Sequence, residues 1–289
     1  MKFVNVKNDI AFRKILGNEK KTKILISFLN AVLKLEGSAK INEVEIINPY
    51  QLPRVAGEKA TVIDVSAKDE KGQQFVIEMQ VANVDGFGKR VQYYTCRNYS
   101  MQIDRGEQYP LLKPTYFIGV LDFNFFESQH YLSHHIIVDG VTYEHKLKDI
   151  QFTFIELKKF TKKINELNSL VEKWIFFIKN AENLELIPAN LQDEGLIEAY
   201  KDADKHSWQK EELIAYDNAS IAEQDERGRL TAAVNKGKIE GKIEGKVEEK
   251  EDVVIRCVEE GMAIALISKI TNMSVEEVNR IIENMEKST

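Results

Sequence analysis

Residues 62–81, which read VIDVSAKDEKGQQFVIEMQV, contain the pattern that decides the fold. Two runs rich in β-branched residues, 62–68 and 74–81, flank the polar segment 69–73, and this arrangement predicts a hairpin of two antiparallel strands. Side chains alternate between the two faces of a strand, so one face of the hairpin is predicted to be apolar and to face the core. That apolar set is Ile63, Val65, Ala67, Phe75, Ile77, Met79 and Val81.

The other face of the hairpin carries Asp64, Ser66, Glu78 and Gln80. If residues 69–73 close the turn, Asp64 lies directly opposite Glu78. Two carboxylates about 5 Å apart repel each other by on the order of 3 kcal/mol at an effective dielectric near 20. Protonation, a nearby cationic side chain or a divalent metal can each compensate this repulsion. Because the core motif, residues 62–67 and 75–81, carries no Lys or Arg on this face, the pattern favours Mg²⁺ or Mn²⁺, which prefer oxygen ligands. A solvent-exposed acidic pair without a ligand is the alternative.

The segments around the hairpin predict an α/β domain followed by helices. Helical spacing of apolar residues predicts helices over 10–16, 21–35 and 87–104. Further strands are predicted over 41–47, 116–121, 134–138 and 151–157. The continuous apolar run 116–121 indicates a strand that is buried on both faces of its sheet. From residue 157 the chain is predicted to be helical almost to its end.

The composition is that of a soluble globular protein, with 43% hydrophobic and 30% charged residues. No apolar run approaches the roughly 20 residues that a membrane-spanning helix needs, and no secretory signal is predicted at the start. Cys96 and Cys257 are too few for a disulfide framework or a thiolate metal site, so a reducing cytoplasm is the expected location. The net charge of −6 argues against non-specific coating of nucleic acid. It does not exclude an acidic metal site that attracts phosphate locally.

An internal repeat lies in the tail, where residues 237–248 read GKIEGKIEGKVE. On a helix this period of four aligns Ile239, Ile243 and Val247 in one stripe, with lysines on one flank and glutamates on the other. In a parallel pair of such helices each lysine flank would meet a glutamate flank. The repeat therefore predicts parallel self-association, and a solvated helical linker is the alternative.

The last segment, Glu259 to Met285, is predicted to form two short helices, with Ser274 and Glu277 as a capping box for the second. The pattern is similar to a helix-turn-helix. However, the second helix is acidic and would be repelled by DNA phosphates. Helix packing or oligomerisation is therefore the favoured role of this segment, and DNA reading is the alternative.

The N-terminal half resembles the Rpn family of recombination-promoting nucleases, also described as putative transposases, in the PD-(D/E)xK nuclease superfamily. The resemblance covers roughly residues 5–160. It rests on an ordered series of pieces: Asn8-Asp9 with Ala11-Phe12, Phe28-Leu29-Asn30, Gly57 with Lys59, Asp64 with Asp69 and Gly72, Ile77-Glu78-Met79-Gln80, Arg90 with Tyr93-Tyr94, Gly106 with Tyr109, and Leu121-Asp122-Phe123.

The resemblance implies an α/β fold with a restriction-endonuclease-like core, in which helices flank a mixed central sheet, plus an α-helical C-terminal extension. The predicted organisation is a nuclease-like domain over 1–160, a helical extension over 161–235, the repeat helix or linker over 236–250 and a two-helix, oligomerisation module over 251–289. A homo-oligomer formed through the C-terminal helices is expected.

The same resemblance implies a divalent-metal-dependent DNA endonuclease that promotes recombination. Asp64 and Glu78 would hold Mg²⁺, or Mn²⁺ or Ca²⁺ in its place. Gln80 stands where the superfamily motif has Lys. Glutamine cannot supply a positive charge, although its amide can orient a water molecule. Lys59 could supply the missing cation, or it could be an ordinary surface lysine.

Further candidates come from the two predicted helices that flank the hairpin. Asp9 could add a third carboxylate, but helix capping by Asn8 and Asp9 explains it equally well. Arg90, Tyr94 and Arg97 fall on one helical face that could contact DNA phosphates, or that face could pack through its tyrosine. The alternative function is a catalytically weak or silent nuclease-fold protein that binds or assembles through its helical C-terminal region.

Overall fold

The computed structural model describes residues 1–47, 50–51, 61–189 and 191–288. The strands are β1 (Val44–Ile47), β2 (Tyr50–Gln51), β3 (Thr61–Val62), β4 (Val65–Asp69), β5 (Gln74–Gln80), β6 (Thr115–Leu121), β7 (Leu132–His135) and β8 (Ile150–Glu156). The helices are α1 (Asp9–Leu16), α2 (Thr22–Val32), α3 (Phe87–Ser100), α4 (Leu170–Asn180), α5 (Glu194–Ala203), α6 (Lys210–Glu259), α7 (Ile264–Thr271) and α8 (Val275–Ser288). None of the described helices combines the length and the apolar character needed to cross a bilayer.

The central sheet is mixed and has the strand order β1-β4-β5-β6-β8-β7, while β2 and β3 form a separate antiparallel pair. The strands β5, β6 and β8 run parallel to one another, and β1, β4 and β7 are antiparallel to their neighbours. This arrangement confirms the predicted α/β fold with a mixed central sheet.

The helix predicted over 21–35 is α2, and it ends at Val32 and not at residue 35, because Lys34 adopts a left-handed backbone conformation that a helix cannot continue through. The helix predicted over 87–104 is α3, and it ends at Ser100 and not at residue 104.

The hairpin between β4 and β5 has the predicted register, with Val65 opposite Ile77 and Lys68 opposite Gln74. The first strand is not continuous, however, because β3 ends at Val62 and β4 begins at Val65. Ile63 falls in this break and packs in a different hydrophobic cluster from Val65. The prediction that Ile63 shares a face with Val65 is therefore wrong, since strict alternation applies only while the strand is unbroken.

Both faces of the sheet are covered by helices. On the first face α1, α2, α4 and α5 pack against the strands in a large core that includes Phe12, Phe28, Trp174 and Tyr200. On the second face α3 covers a smaller, aromatic cluster that includes Phe87, Phe117 and Phe154. Glu78 shares the face of β5 with Val76, which packs in this second cluster, and both Asp64 and Glu78 are buried, so the acids do not lie on a solvent face.

The chain forms two compact units, Met1–Ala222 and Glu223–Thr289. In the second unit, Val254 of α6 packs with Ile267 of α7 and Val278 of α8. The predicted capping box is confirmed, because Ser274 and Glu277 each accept a hydrogen bond from the other's backbone N–H. The GK(I/V)E repeat lies inside α6, with its apolar stripe exposed on this chain. The domain boundaries and the self-association expected from the sequence stay predictions.

Replacing Trp174 by alanine is expected to lower the free energy of unfolding by about 3–5 kcal/mol, because the deletion leaves a cavity between α2 and α4. The Trp174 side chain is fully buried, donates to Ser27 Oγ at 2.9 Å and meets the Phe28 ring edge-on. Urea titration followed by circular dichroism measures the effect. Leu186→Ala, at an exposed position, is the control. A loss below about 1 kcal/mol at Trp174 would contradict a shared core.

Candidate active site

Asp64 and Glu78 approach each other at the start of β4, where the backbone N–H of Asp64 donates a hydrogen bond to the Glu78 carboxyl. Asp64 lies in the break before β4, and Glu78 lies on β5, one residue beyond the last pair of the ladder, Val65 opposite Ile77. Their side chains are largely buried, at 8% and 9% exposed. The two acids therefore face each other across neighbouring strands, in an interior layer and not at a solvated surface.

Glu78 is protonated over much of the neutral pH range when no cation is bound. Burial raises the pKa of its carboxyl most, the charge of Asp64 raises it further, and the result is a pKa of about 8. Arg90, the backbone N–H of Asp64 and Arg13 act in the opposite direction without cancelling the effect. One oxygen, Oε1, is buried and has no hydrogen-bond partner among the described residues.

Aromatic rings account for the dry surroundings of Glu78. The register places Gly119 of β6 beside Glu78, and Phe154 of β8 beside Gly119. A Cβ atom at Gly119 would lie 3.0 Å from ring atoms of both Phe117 and Phe154. The rings therefore occupy the space that a side chain at position 119 would fill, next to the carboxyl, and they exclude water from it.

Asp64 is satisfied by different partners. Its Oδ2 accepts a hydrogen bond of 2.8 Å from the backbone N–H of Met79, which holds the side chain against β5 beyond the last ladder pair. Its Oδ1 accepts two hydrogen bonds from Arg13, of 3.0 Å from Nε and 2.7 Å from Nη2. Burial lowers the pKa of the Arg13 guanidinium, but the hydrogen bond and charge of Asp64 outweigh it, and the pKa lies above its ordinary value.

Arg13 is the functional candidate that sequence reasoning missed. It lies on α1, 51 residues from Asp64 in the chain. On the hairpin, Lys68 is paired with Glu45. The cation that pairs with Asp64 comes from α1 instead. Arg13 is thus the cationic side chain that the sequence left open as an alternative to a metal at Asp64, whereas Glu78 keeps a buried oxygen without a hydrogen-bond partner among the described residues.

Gln80 and Arg90 form a second polar group on the same face. The Gln80 amide nitrogen donates to the carbonyl oxygen of Ala82 at 2.9 Å, and its Oε1 accepts a hydrogen bond from Arg90 Nη2. The Arg90 guanidinium also lies over the rings of Phe87 and Tyr94, at 5.5 and 6.0 Å from their centroids. Both ends of the Gln80 amide are thus engaged within the protein.

Two other predicted site residues, Asp9 and Lys59, form no part of the contacts described above. Asn8, not Asp9, is the N-cap of α1, since its side chain accepts from the backbone of Ile10 and Ala11. Asp9 is exposed at the first position of the helix, where its charge contributes to the raised pKa of Arg13. Lys59 lies outside the described residues.

The predicted phosphate-contact face of α3 is unevenly accessible. Arg90 and Tyr94 are both half-buried and lie side by side. Burial raises the pKa of the Tyr94 hydroxyl, and the nearby charge of Arg90 opposes this. Arg97 is buried, and its Nη1 donates to the hydroxyl of Tyr93 at 3.1 Å. Arg90 is therefore the arginine of this set that is open to a ligand and close to the acids.

The donor set fits a magnesium-type ion with few protein ligands. Within the described part of the chain, no group of three or more His, Cys, Asp or Glu side chains is arranged to hold a metal. Mg²⁺ is commonly bound by only one or two carboxylates, with waters and substrate phosphates completing its coordination. Asp64 and Glu78 provide two such carboxylates, and the unpartnered Oε1 of Glu78 is an available donor atom.

Comparison with known proteins gives one finding. A family model described as PD-(D/E)XK nuclease family transposase matches residues 6–233. The match covers well over half of the chain, so the chain belongs to this family, as its sequence motifs indicated. Nucleases of this class generally use divalent metals, and their family points to DNA as a partner. No curated protein and no solved structure shows a significant match to the chain.

Glu78→Gln is expected to stabilise the metal-free protein progressively as the pH rises. The folded-state pKa of about 8 exceeds the ordinary value of 4.5, so the folded state keeps a proton that the unfolded state has lost between these values. The stability contributed by this proton is fully present below the unfolded pKa and is lost as the pH rises through the folded one. Urea titrations in EDTA should show the advantage of Gln growing by up to about 1.4 kcal/mol per pH unit from about pH 5.5 to about pH 7.5.

The matched control for this experiment is Glu45→Gln, an exposed glutamate of β1 that pairs with Lys68. Its stability curve should run parallel to that of the unmodified protein. Parallel curves for Glu78→Gln as well would mean that Glu78 is ionised throughout the range.

Proposed function

Starting from this family membership, we propose that the protein is a divalent-metal-dependent DNA endonuclease. Asp64 and Glu78 hold the ion, which is Mg²⁺ or, in its place, Mn²⁺ or Ca²⁺. The observation that carries the proposal is the pair of buried carboxylates on neighbouring strands, one of which keeps an oxygen without a partner. A bound divalent ion lowers the pKa of a coordinated water and neutralises charge on the scissile phosphate.

The residues around the pair prepare it for this ligand. Glu78 gives up its proton when a cation binds, because the added positive charge favours the carboxylate. Arg13 would orient Asp64 toward the ion, because it donates two hydrogen bonds to the Oδ1 atom of that carboxylate. We further propose Asp9 as an additional acid at the edge of the site and Lys59 as a supplementary cation.

DNA would approach over α3. Arg90 and Tyr94 are proposed to contact phosphates from its accessible side, and Arg97 joins them if its buried side chain turns outward. We propose that the breaks made at this site promote DNA recombination in the cytoplasm. The C-terminal helices are proposed to assemble copies of the chain into a homo-oligomer.

Supercoiled plasmid incubated with the purified protein tests the activity. Cleavage is expected with Mg²⁺ or Mn²⁺ and not with EDTA, and Asp64→Asn and Glu78→Gln should each slow it by roughly 100-fold or more. Asparagine at position 64 still accepts the hydrogen bond from Met79, so loss of activity would not reflect loss of that contact. Glu45→Gln is the charge-matched control. Cleavage that survives Asp64→Asn would point to a contaminant or to another site.

A second candidate function follows from the same geometry. Arg13 already neutralises Asp64, and Gln80 brings no charge of its own, so the nuclease fold could be catalytically silent and act by binding or assembly through its C-terminal helices. The long helix α6, whose repeat is exposed along its apolar stripe, favours this candidate.

Plasmid cleavage, measured together with thermal unfolding in the presence and absence of Mn²⁺, separates the two candidates. If the site binds metal, the ion should stabilise the unmodified protein by about 2.7 kcal/mol at a concentration of about 100 times its dissociation constant. Glu78→Gln should lose that gain. Stabilisation by Mn²⁺ without plasmid cleavage would favour the silent protein, and cleavage with stabilisation would favour the nuclease.

A further inference from the structure

Arg90 is held by three neighbours close enough to the acid pair for its charge to act on Glu78. Its Nη2 donates to Gln80 Oε1, and its guanidinium lies over the ring faces of Phe87 and Tyr94. Of the charged side chains that influence Glu78, it opposes the effect of Asp64 more strongly than Arg13 does. A positive charge therefore stands next to the pair before any ligand arrives.

Gln80 determines the position of the Arg90 guanidinium. It follows Glu78 by two residues on β5 and so projects from the same face of the sheet. Its amide nitrogen is committed to the carbonyl of Ala82, which turns the amide oxygen toward Arg90. The amide has one orientation that satisfies both contacts, and that orientation makes it an acceptor for the guanidinium.

Hydrolysis of a phosphodiester is accelerated by a positive charge beside the scissile phosphate. Negative charge spreads over the phosphate oxygens as the reaction proceeds, and a preorganised cation in a dry site stabilises it without reorganisation. Arg13 is committed to Asp64 by two hydrogen bonds. Arg90, in contrast, is bonded to a neutral amide, and no carboxylate among the described residues lies within ion-pair distance of it. Its charge is available to a ligand.

We propose that Arg90 is the cation that stabilises the scissile phosphate during cleavage, and that Gln80 is a positioning residue that acts through Arg90. The inference rests on the proposed endonuclease function and assigns roles within it. It replaces the expectation that Gln80 orients the attacking water. It also gives a reason for glutamine at position 80, because the positive charge comes from α3 and not from β5.

Two other roles for Arg90 make different predictions. As a contact that only strengthens DNA binding, Arg90 would affect the protein concentration needed for half-maximal cleavage and leave the maximal rate unchanged. As a structural partner of Gln80, Arg90 would affect thermal stability and leave the affinity of the acid pair for metal unchanged.

The test compares Arg90→Gln, Arg90→Lys and the double variant Gln80→Lys with Arg90→Gln, which moves the charge to β5. Lys89→Gln is the control, since it removes one positive charge from an exposed position on the same helix. Single-turnover plasmid cleavage in Mn²⁺, measured over a range of protein concentrations, separates the maximal rate from the half-saturating concentration. Isothermal titration measures Mn²⁺ affinity without DNA.

Arg90→Gln is expected to lower the maximal rate by roughly 100-fold and to change the half-saturating concentration by less than roughly threefold. Its Mn²⁺ affinity should rise by roughly threefold or more, because a charge that repels the ion is gone. Arg90→Lys should keep most of the rate. The double variant should recover roughly tenfold of the lost rate and return the Mn²⁺ affinity toward that of the unmodified protein.

Several results would overturn the inference. A half-saturating concentration that rises while the maximal rate stays constant would make Arg90 a DNA-binding residue. A slow Arg90→Gln variant with unchanged Mn²⁺ affinity and no recovery in the double variant would make its role structural. An unmodified protein that binds Mn²⁺ but cuts no DNA would instead reject the endonuclease proposal on which the inference rests.

Discussion

The burial of two carboxylates on one face of a sheet is the constraint around which this molecule is organised. Two buried carboxylates that interact electrostatically destabilise each other when both are ionised, because the protein interior screens charge less than water does. The fold reduces this repulsion in a different way at Asp64 than at Glu78. Asp64 is paired with Arg13 and hydrogen-bonded to the backbone of Met79, while Glu78 is held protonated by its dry surroundings. The site is thus stable without a ligand and still has a donor atom to offer.

The asymmetry between the two acids has a structural origin. Asp64 sits in a break between β3 and β4, where its side chain can bond the neighbouring backbone and be reached from α1. Glu78 sits inside a continuous strand beside Gly119 and near aromatic rings, and its Oε1 has no hydrogen-bond partner in the part of the chain that the structure describes. A cation entering the site would therefore gain most from Glu78 and would compete with an arginine at Asp64.

Helices from both layers contribute to the candidate site. Arg13 of α1, a helix that packs in the larger core, pairs with Asp64. On the other face, Glu78 lies beside the aromatic cluster that α3 covers, and Arg90 of α3 bonds Gln80. Because α3 carries Arg90 and Tyr94 on its accessible side, the same helix that excludes water also presents charge to a phosphate.

The sequence by itself determined the hairpin and its register from Val65 opposite Ile77 to Lys68 opposite Gln74, because strand alternation and turn length are local properties of the chain. It also identified the family and the capping box at Ser274. Only the tertiary structure decided that Ile63 leaves the face of Val65, that Arg13 neutralises Asp64 and that Arg90 is fixed by Gln80. These facts depend on where a strand breaks and on how α1 and α3 dock on the sheet, and docking brings together side chains that no spacing in the sequence relates.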